Sequence, residues 1–174
     1  MRGIPPRIAL IGFMGSGKST VGRLLAKRLG YRFQDLDDLI EEKAGKTIRE
    51  IFSAEGEAGF RDLESEALGS LAGASGLVLA CGGGAAVQER NAACFRESFF
   101  CVYLKVGFEE FLRRAGGDPA RPLSARPRAE VQELYDSRLP AYRALGSTGQ
   151  TICTDGKSPL EVAEDVLARL VAAS

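Results

Sequence analysis

Nine residues, GFMGSGKST at positions 12–20, constrain the fold of this chain more than any other stretch. They carry the pattern G-x-x-x-x-G-K-[ST], which forms a phosphate-binding loop when a strand precedes it and a helix follows it. The preceding RIALI predicts a buried strand, Arg7–Ile11, and the following VGRLLAKRLG predicts an amphipathic helix that ends at Gly30. Because both flanking elements are present, the pattern predicts an α/β domain with a phosphate loop after its first strand.

The chemistry of this loop follows from its backbone. Glycines allow the chain to wrap tightly, so that successive N–H groups face phosphate oxygens, and a helix that begins near Lys18 adds the positive end of its dipole. Lys18 is expected to reach the β- and γ-phosphates of ATP or GTP, and the Ser19 hydroxyl is expected to bind Mg²⁺. The predicted nucleotide-binding residues of the loop are Gly12, Gly15, Ser16, Gly17, Lys18, Ser19 and Thr20.

Short apolar runs alternate with helical patterns along the rest of the chain. This order predicts a three-layer α/β fold, in which helices cover both faces of a parallel sheet. Further strands are predicted at residues 31–35, 77–80, 101–106 and 150–154. Two helix starts carry capping boxes, Thr47 with Glu50 and Ser158 with Glu161. Because the 174 residues show no linker or repeat, we expect one domain over residues 1–174.

Composition narrows the functional classes. The chain has 23 Lys and Arg and 23 Asp and Glu, so we expect no general affinity for nucleic acid or for an acidic membrane. It has no histidine, and its four cysteines form no C-x-x-C pair, which excludes histidine-ligated metal sites and fits thiols in a reducing compartment. The apolar run IALI is too short for a signal peptide and no segment reaches transmembrane length, so we expect a cytoplasmic protein.

The third predicted strand, LVLA, ends in CGGG, where a nucleotide-hydrolysing protein often places an aspartate that helps to hold magnesium. Acidic residues follow the second strand instead. Asp35 and Asp37 lie where the strand ends, and ligands of open α/β sheets bind at that edge. One carboxylate can reach Mg²⁺, and the other can hold an acceptor hydroxyl and take its proton. The alternative is that Asp37 and Asp38 only favour the first turn of a helix.

Glycines and arginines elsewhere point to a small anionic molecule. Gly82, Gly83 and Gly84 allow such a molecule to lie against the backbone, although a plain tight turn is the alternative. Arg61 is expected near the start of a helix, where a cation gains nothing from the dipole, so its partner is either external or an acidic neighbour. Arg138 is suited to two-pronged capture of a carboxylate, or else it is a snorkelling side chain.

Residues 113–130, RRAGGDPARPLSARPRAE, contain glycines, prolines and five arginines but few apolar residues. The composition therefore indicates a segment outside the core. We expect an arginine-rich lid over the phosphates at about residues 113–128. A solvated surface loop is the alternative.

The ordered set of motifs resembles the shikimate kinase family, in the nucleoside-monophosphate-kinase-like group of P-loop folds. The set is GFMGSGKST, DLD (35–37), FRDLE (60–64), GGG (82–84), RPL (121–123), RLPAY (138–142) and TDGKSP (154–159). The resemblance implies a five-stranded parallel sheet with the phosphate-loop strand in its centre. It also implies ATP-dependent phosphorylation of shikimate to shikimate 3-phosphate, in the aromatic amino-acid pathway. Mg²⁺ is the implied cofactor, ATP and shikimate are the implied partners, and a monomer is expected.

The resemblance implies a role for each residue of the acceptor side. Ser19 and Asp35 would lie around Mg²⁺. Asp37 would hold the hydroxyl that accepts the phosphoryl group. Arg61, Arg138 and the backbone of residues 82–84 would hold shikimate, with the two arginines around its carboxylate.

On the nucleotide side, the resemblance implies that Arg121, on the lid, approaches both the transferring phosphate and the substrate. Arg114 and Pro159 would pack around adenine. The chain departs from the family pattern at Ser124, which puts the packing of the lid in doubt, and at Cys81, which precedes the glycines.

Two other functions stay open from the sequence. A kinase of the same fold could phosphorylate gluconate or a nucleotide, since gluconate also carries a carboxylate. A P-loop protein of this shape could also bind a partner without phosphorylating anything. The combination of DLD, Arg61, GGG and Arg138 favours shikimate.

Overall fold

The computed structural model describes residues 3–115, 126–146 and 150–173. These residues contain a five-stranded parallel sheet with the strand order β2-β3-β1-β4-β5. The strands are β1 (Arg7–Ile11), β2 (Arg32–Asp35), β3 (Leu77–Ala80), β4 (Phe100–Lys105) and β5 (Thr151–Cys153). The strand ahead of the phosphate loop is central, which confirms the prediction.

Helices connect the strands in this part of the chain. They are α1 (Lys18–Leu29), α2 (Leu36–Ala44), α3 (Ile48–Ser70), α4 (Glu89–Ser98), α5 (Phe108–Ala115), α6 (Arg128–Leu145) and α7 (Pro159–Ala172). A short 3₁₀-helix, Ala85–Val87, follows the three glycines after β3. Among the described residues, no helix is long and apolar enough to cross a membrane.

Strand β1 shows why helices cover both faces of the sheet. Ala9 and Ile11 belong to one apolar cluster with residues of α2, α3, α4 and α6. Ile8 and Leu10 belong to a second cluster with residues of α1 and α7. Because successive side chains of a strand point to opposite faces, a strand that is apolar at these consecutive positions is buried between two helical layers.

The predicted helix ends are confirmed where local hydrogen bonds define them. The Thr47 side chain accepts from the Glu50 N–H at the start of α3, and the Ser158 side chain accepts from the Glu161 N–H at the start of α7. Helix α1 ends at Gly30, which has a left-handed backbone with φ of 68°. Such ends depend on residues close in sequence, so they can be predicted without the tertiary structure.

The expected position of Arg61 near the start of a helix agrees with a break inside α3. Helix α3 begins at Ile48 and is interrupted only at Gly56, which has φ of 68° and ψ of −171°. A second helical stretch begins after that kink, and Arg61 lies close to its start. The structure also contains α4 and α5, for which the sequence analysis made no prediction.

The described ends of the arginine-rich segment are helical. Residues 113–115 form the end of α5, because Phe111 and Ala115 lie one turn apart and are both buried. Arg128 begins α6. Residues 116–125, which include Arg121 and Ser124, lie outside the described residues, and the lid stays a prediction.

Candidate active site

Glycines shape the phosphate loop where a side chain has no room or the backbone is left-handed. Gly12 has φ of 143°, and a Cβ there would lie 2.4 Å from the Leu104 carbonyl oxygen. Gly15 and Gly17 have φ of 72° and 88°, values that residues with a Cβ rarely adopt. Gly17 precedes α1, and no side chain caps that helix end. The first N–H groups of α1 are therefore available to an anion.

Lys18 lies over this loop. Its Nζ donates hydrogen bonds to the carbonyl oxygens of Gly12 and Phe13, each at 2.9 Å. Burial lowers the pKa of Lys18 to about 8, while the negative charges of Asp37 and Asp35 act in the opposite direction. A desolvated ammonium group interacts more strongly with an anion than an exposed one does. This environment suits Lys18 for the predicted contact with phosphates.

Ser19 and Asp35 meet at the edge of the loop. The Ser19 hydroxyl donates to Asp35 Oδ2 at 2.7 Å. The other carboxylate oxygen, Oδ1, accepts from the Asp37 N–H at 3.1 Å and so caps the start of α2. Mg²⁺ usually takes one or two carboxylates together with substrate phosphates. A hydroxyl and a carboxylate oxygen side by side fit that requirement.

Asp37 lies in the first turn of α2 and is only partly exposed. Burial raises the pKa of its carboxyl group to about 6, and the neighbouring Asp35 and Glu64 raise it further, against the opposing charge of Lys18. A carboxylate with a pKa near the working pH can accept a proton during the reaction. This environment suits Asp37 for the predicted role of proton acceptor, in addition to its place in a helix.

The three glycines after β3 each face one of the predicted acceptor-binding side chains. A Cβ at Gly82 would lie 2.9 Å from Asp37 Oδ1, and one at Gly84 would lie 2.5 Å from Arg61 Nη1. A Cβ at Gly83 would lie 3.0 Å from Arg138 Nη1.

None of the three glycines has a positive φ. Their backbone conformation therefore does not call for glycine, as a left-handed turn would. What requires glycine here is space, because the backbone comes so close to one carboxylate and two guanidinium groups.

Arg61 is held by acidic neighbours on its own helix. Its Nη1 donates to both carboxylate oxygens of Glu64, at 2.9 and 3.1 Å, and its Nη2 donates to Glu57 at 3.4 Å. Glu64 is 1% exposed, and burial raises the pKa of its carboxyl group. The structure thus shows the pairing with acidic neighbours that was one of the two predicted possibilities for Arg61, and a contact with shikimate stays a prediction. Even so, Arg61 Nε is buried and has no hydrogen-bond partner among the described residues.

Glu64 is not among the predicted site residues. Its position three residues after Arg61 was the available signal, because such residues face each other on a helix.

Arg138 lies on α6, with its guanidinium carbon 5.7 Å from the centre of the Phe13 ring of the phosphate loop. Tyr142, one turn further along α6, is fully buried, and its hydroxyl donates to the Gly83 carbonyl oxygen at 2.6 Å. Arg138 thus contacts the glycine segment on one side and the phosphate loop on the other. No role for Tyr142 was predicted from the sequence.

A cavity of about 430 Å³ lies beside the phosphate loop, within the size range of small-ligand sites. Arg114 lines this cavity. Its side chain donates to the Gly15 carbonyl oxygen at 3.1 Å and to the Thr154 carbonyl oxygen at 2.8 Å. Its Nε donates to Glu110 at 2.7 Å. Thr154, which the sequence analysis missed as a contact of Arg114, is buried. The predicted residues that line the cavity are Gly15, Ser16, Gly17, Thr20, Arg114 and Pro159.

Comparison with known proteins agrees with this geometry. The family model for shikimate kinase matches residues 14–171. The shikimate kinase of Geobacter sulfurreducens is 47% identical over 161 residues, which cover 91% of this chain and 87% of the relative. The shikimate kinase of Persephonella marina is 40% identical over 163 residues, which cover 94% of this chain and 98% of the relative.

Two solved structures differ in how closely they match this chain. A shikimate kinase from Acinetobacter baumannii, solved in complex with shikimate, has a TM-score of 0.89 and 39% identity, covering 98% of this chain and 95% of its own. A gluconokinase from Sinorhizobium meliloti has a TM-score of 0.59 and 18% identity, covering 99% and 95%, and it shares only the fold. With a family match over most of its length and relatives above 40% identity, the chain belongs to the shikimate kinase family.

Proposed function

We propose that this chain transfers the γ-phosphoryl group of ATP to a hydroxyl of shikimate, forming shikimate 3-phosphate and ADP. The observation that carries the proposal is the packing of three consecutive glycines against Asp37, Arg138 and Arg61. This arrangement places one acid that can hold a hydroxyl and two guanidinium groups that can hold a carboxylate around a bare backbone. Membership of the family, and the shikimate bound to the Acinetobacter baumannii relative, support the same acceptor.

On the nucleotide side, Arg114 and Pro159 line the cavity in which we place the base. The loop N–H groups and Lys18 bind the phosphates, and Lys18 stabilises the charge that develops on them during transfer. Ser19 and Asp35 would hold Mg²⁺, which neutralises phosphate charge when it is bound. Arg121 stays a predicted contact of the transferring phosphate.

On the acceptor side, Asp37 holds the hydroxyl and takes its proton. A pKa of about 6 leaves this carboxylate ionised at neutral pH while keeping it basic. Arg61 and Arg138 bind the carboxylate of shikimate, and the buried Nε of Arg61 supplies a donor that no described residue uses. That the protein acts as a monomer in the cytoplasm stays a prediction from the sequence.

The rate of ADP release, measured in the presence of ATP and Mg²⁺ with each acceptor in turn, shows which acceptor the protein phosphorylates. We expect shikimate to stimulate ADP release, and gluconate and nucleoside monophosphates to leave it at the rate without acceptor. Stimulation by gluconate alone would contradict the proposal. A chain that binds ATP but releases ADP with none of the acceptors would instead be a non-catalytic P-loop protein.

Arg138→Ala tests how the carboxylate is recognised. Leaving a desolvated carboxylate without its partner costs about 2–5 kcal/mol, which is roughly 30-fold to several-thousand-fold in affinity. We expect shikimate binding to weaken by that factor while nucleotide binding stays unchanged, with Arg138→Lys in between. Arg143→Ala, an exposed arginine on the same helix, is the matched control.

A shikimate analogue with a neutral amide in place of the carboxylate tests whether the carboxylate is the group that Arg138 binds. The amide should bind poorly to the wild type, and Arg138→Ala should weaken its binding far less than that of shikimate. Titration calorimetry on the four enzyme–ligand pairs measures this coupling. If the two losses simply add, Arg138 only packs on its helix.

A further inference from the structure

We propose that Tyr142 is a positioning residue for the acceptor, because it holds the Gly83 peptide group in the orientation that shikimate requires. The inference rests on the proposed function, since it concerns how the glycine segment binds the same acceptor. Tyr142 touches the backbone of that segment, and it acts through Gly83 and Arg138.

The contact is short and enclosed. The Tyr142 hydroxyl donates to the Gly83 carbonyl oxygen at 2.6 Å, and the side chain is fully buried. Its ring stacks on that of Tyr103, with 5.3 Å between the ring centres and 30° between the planes. Burial raises the pKa of Tyr142 to about 12, so the hydroxyl keeps its proton and remains a donor at any physiological pH.

A fixed carbonyl fixes the next N–H group as well. The peptide between Gly83 and Gly84 is planar and trans, so its C=O and N–H point in opposite directions. Because Tyr142 binds the Gly83 carbonyl, the Gly84 N–H must point away from Tyr142. The Gly82 and Gly84 carbonyl oxygens accept from the Ala85 and Val87 N–H groups, each at 3.1 Å, whereas the Gly83 carbonyl oxygen accepts from the Tyr142 hydroxyl. Because glycine is the most conformationally free residue, Tyr142 is the contact that restrains the middle peptide.

Tyr142 also limits the position of Arg138. The two residues are four apart on α6 and therefore lie on the same face of the helix. A Cβ at Gly83 would lie 3.0 Å from Arg138 Nη1 and 3.4 Å from the Tyr142 hydroxyl. Gly83 thus packs against both side chains, and loss of the hydroxyl would free the backbone on which the guanidinium rests.

The same helix provides a matched comparison. The Tyr135 hydroxyl donates to the Val106 carbonyl oxygen at 2.7 Å, and Tyr135 is also buried. Val106 follows β4 and takes no part in the acceptor site. Tyr135→Phe and Tyr142→Phe therefore remove the same kind of hydrogen bond from the same helix, but only Tyr142→Phe releases the glycine segment.

The test compares the two variants in steady-state kinetics and in urea unfolding. Without the hydroxyl, the Gly83 carbonyl turns to find another partner, and shikimate must bring it back at the cost of an unpaired buried acceptor. We therefore expect Tyr142→Phe to raise the KM for shikimate roughly 5-fold to 100-fold. The KM for ATP should change less than about twofold in both variants. Both variants should lose similar stability, and Tyr135→Phe should keep the wild-type KM for shikimate.

An unchanged KM for shikimate in Tyr142→Phe, or an equal rise in both variants, would overturn the inference. A wild-type protein that does not phosphorylate shikimate would refute the proposed function instead, so the two failures are distinguishable. If Tyr142→Phe does not fold, Gly83→Ala tests the same contact from the other side. Its Cβ would crowd the hydroxyl and the guanidinium, and a wild-type KM for shikimate in that variant would also refute the inference.

Discussion

Replacement of Asp37 by Asn is expected to make the protein more stable and nearly inactive. The pKa of Asp37 is raised from 3.8 to about 6, chiefly by burial. One pKa unit corresponds to about 1.4 kcal/mol, so the ionised carboxylate costs the folded state up to about 3 kcal/mol. Since Asp37 is partly exposed and water reduces this cost, we expect a gain of about 1–3 kcal/mol in the free energy of unfolding.

The gain in the free energy of unfolding depends on pH, because it exists only where the Asp37 carboxyl group of the wild type is ionised. Above about pH 6 the Asp37 carboxyl group is ionised in the folded protein, so the variant is the more stable. Below about pH 4 it is protonated both in the folded and in the unfolded chain, and the difference disappears. Urea unfolding of both proteins at about pH 8 and about pH 4, without nucleotide or Mg²⁺, measures this dependence.

Asp38→Asn is the control, because Asp38 lies in the same first turn of α2 and is exposed. A residue that only favours a helix start loses a few tenths of a kcal/mol when its charge is removed, which is the opposite sign. In coupled assays of ADP formation, Asp37→Asn should lower kcat by roughly 10²–10⁴-fold. A less stable Asp37→Asn variant that keeps its turnover would show that Asp37 is a helix-start residue.

Further variants address the remaining parts of the site. Lys18→Ala should remove most phosphoryl transfer and leave the free energy of unfolding in urea unchanged. An active variant would mean that the phosphate loop is misinterpreted. Gly84→Ala should raise the KM for shikimate roughly 10-fold to 100-fold, because its Cβ displaces the Arg61 guanidinium. Gly69→Ala, on an open face of α3, is its control and should leave that KM unchanged. In pH profiles, kcat/KM for shikimate should rise through about pH 6 as Asp37 loses its proton, and a flat profile there would argue against a base at this position.

The sequence by itself determined the framework. The strand, glycine loop and helix around Lys18 were predictable because backbone geometry and helix dipoles act over a few residues. The capping boxes at Thr47 and Ser158 were predictable for the same reason. Alternation of apolar runs with helical patterns predicted the layered parallel sheet, since a buried strand between helices needs apolar residues on both faces. Helices α4 and α5 went unpredicted, although α5 carried a helical signal in Phe108, Phe111 and Leu112, which are spaced by about one turn.

Only the tertiary structure decided which side chains share a site. The hydrogen bond from the Tyr142 hydroxyl to the Gly83 carbonyl oxygen joins residues that are far apart in sequence. So does the contact of Arg114 with Thr154. The sequence offered two explanations for the glycines, a tight turn and an open backbone. The structure shows a turn, in which the Ala85 N–H donates to the Gly82 carbonyl oxygen at 3.1 Å. Because none of the three glycines has a positive φ, it is their close side-chain neighbours that call for glycine. Such contacts depend on the order of strands in the sheet and on the angles at which helices pack against it. Those are set by the burial of the whole core, which no short motif encodes.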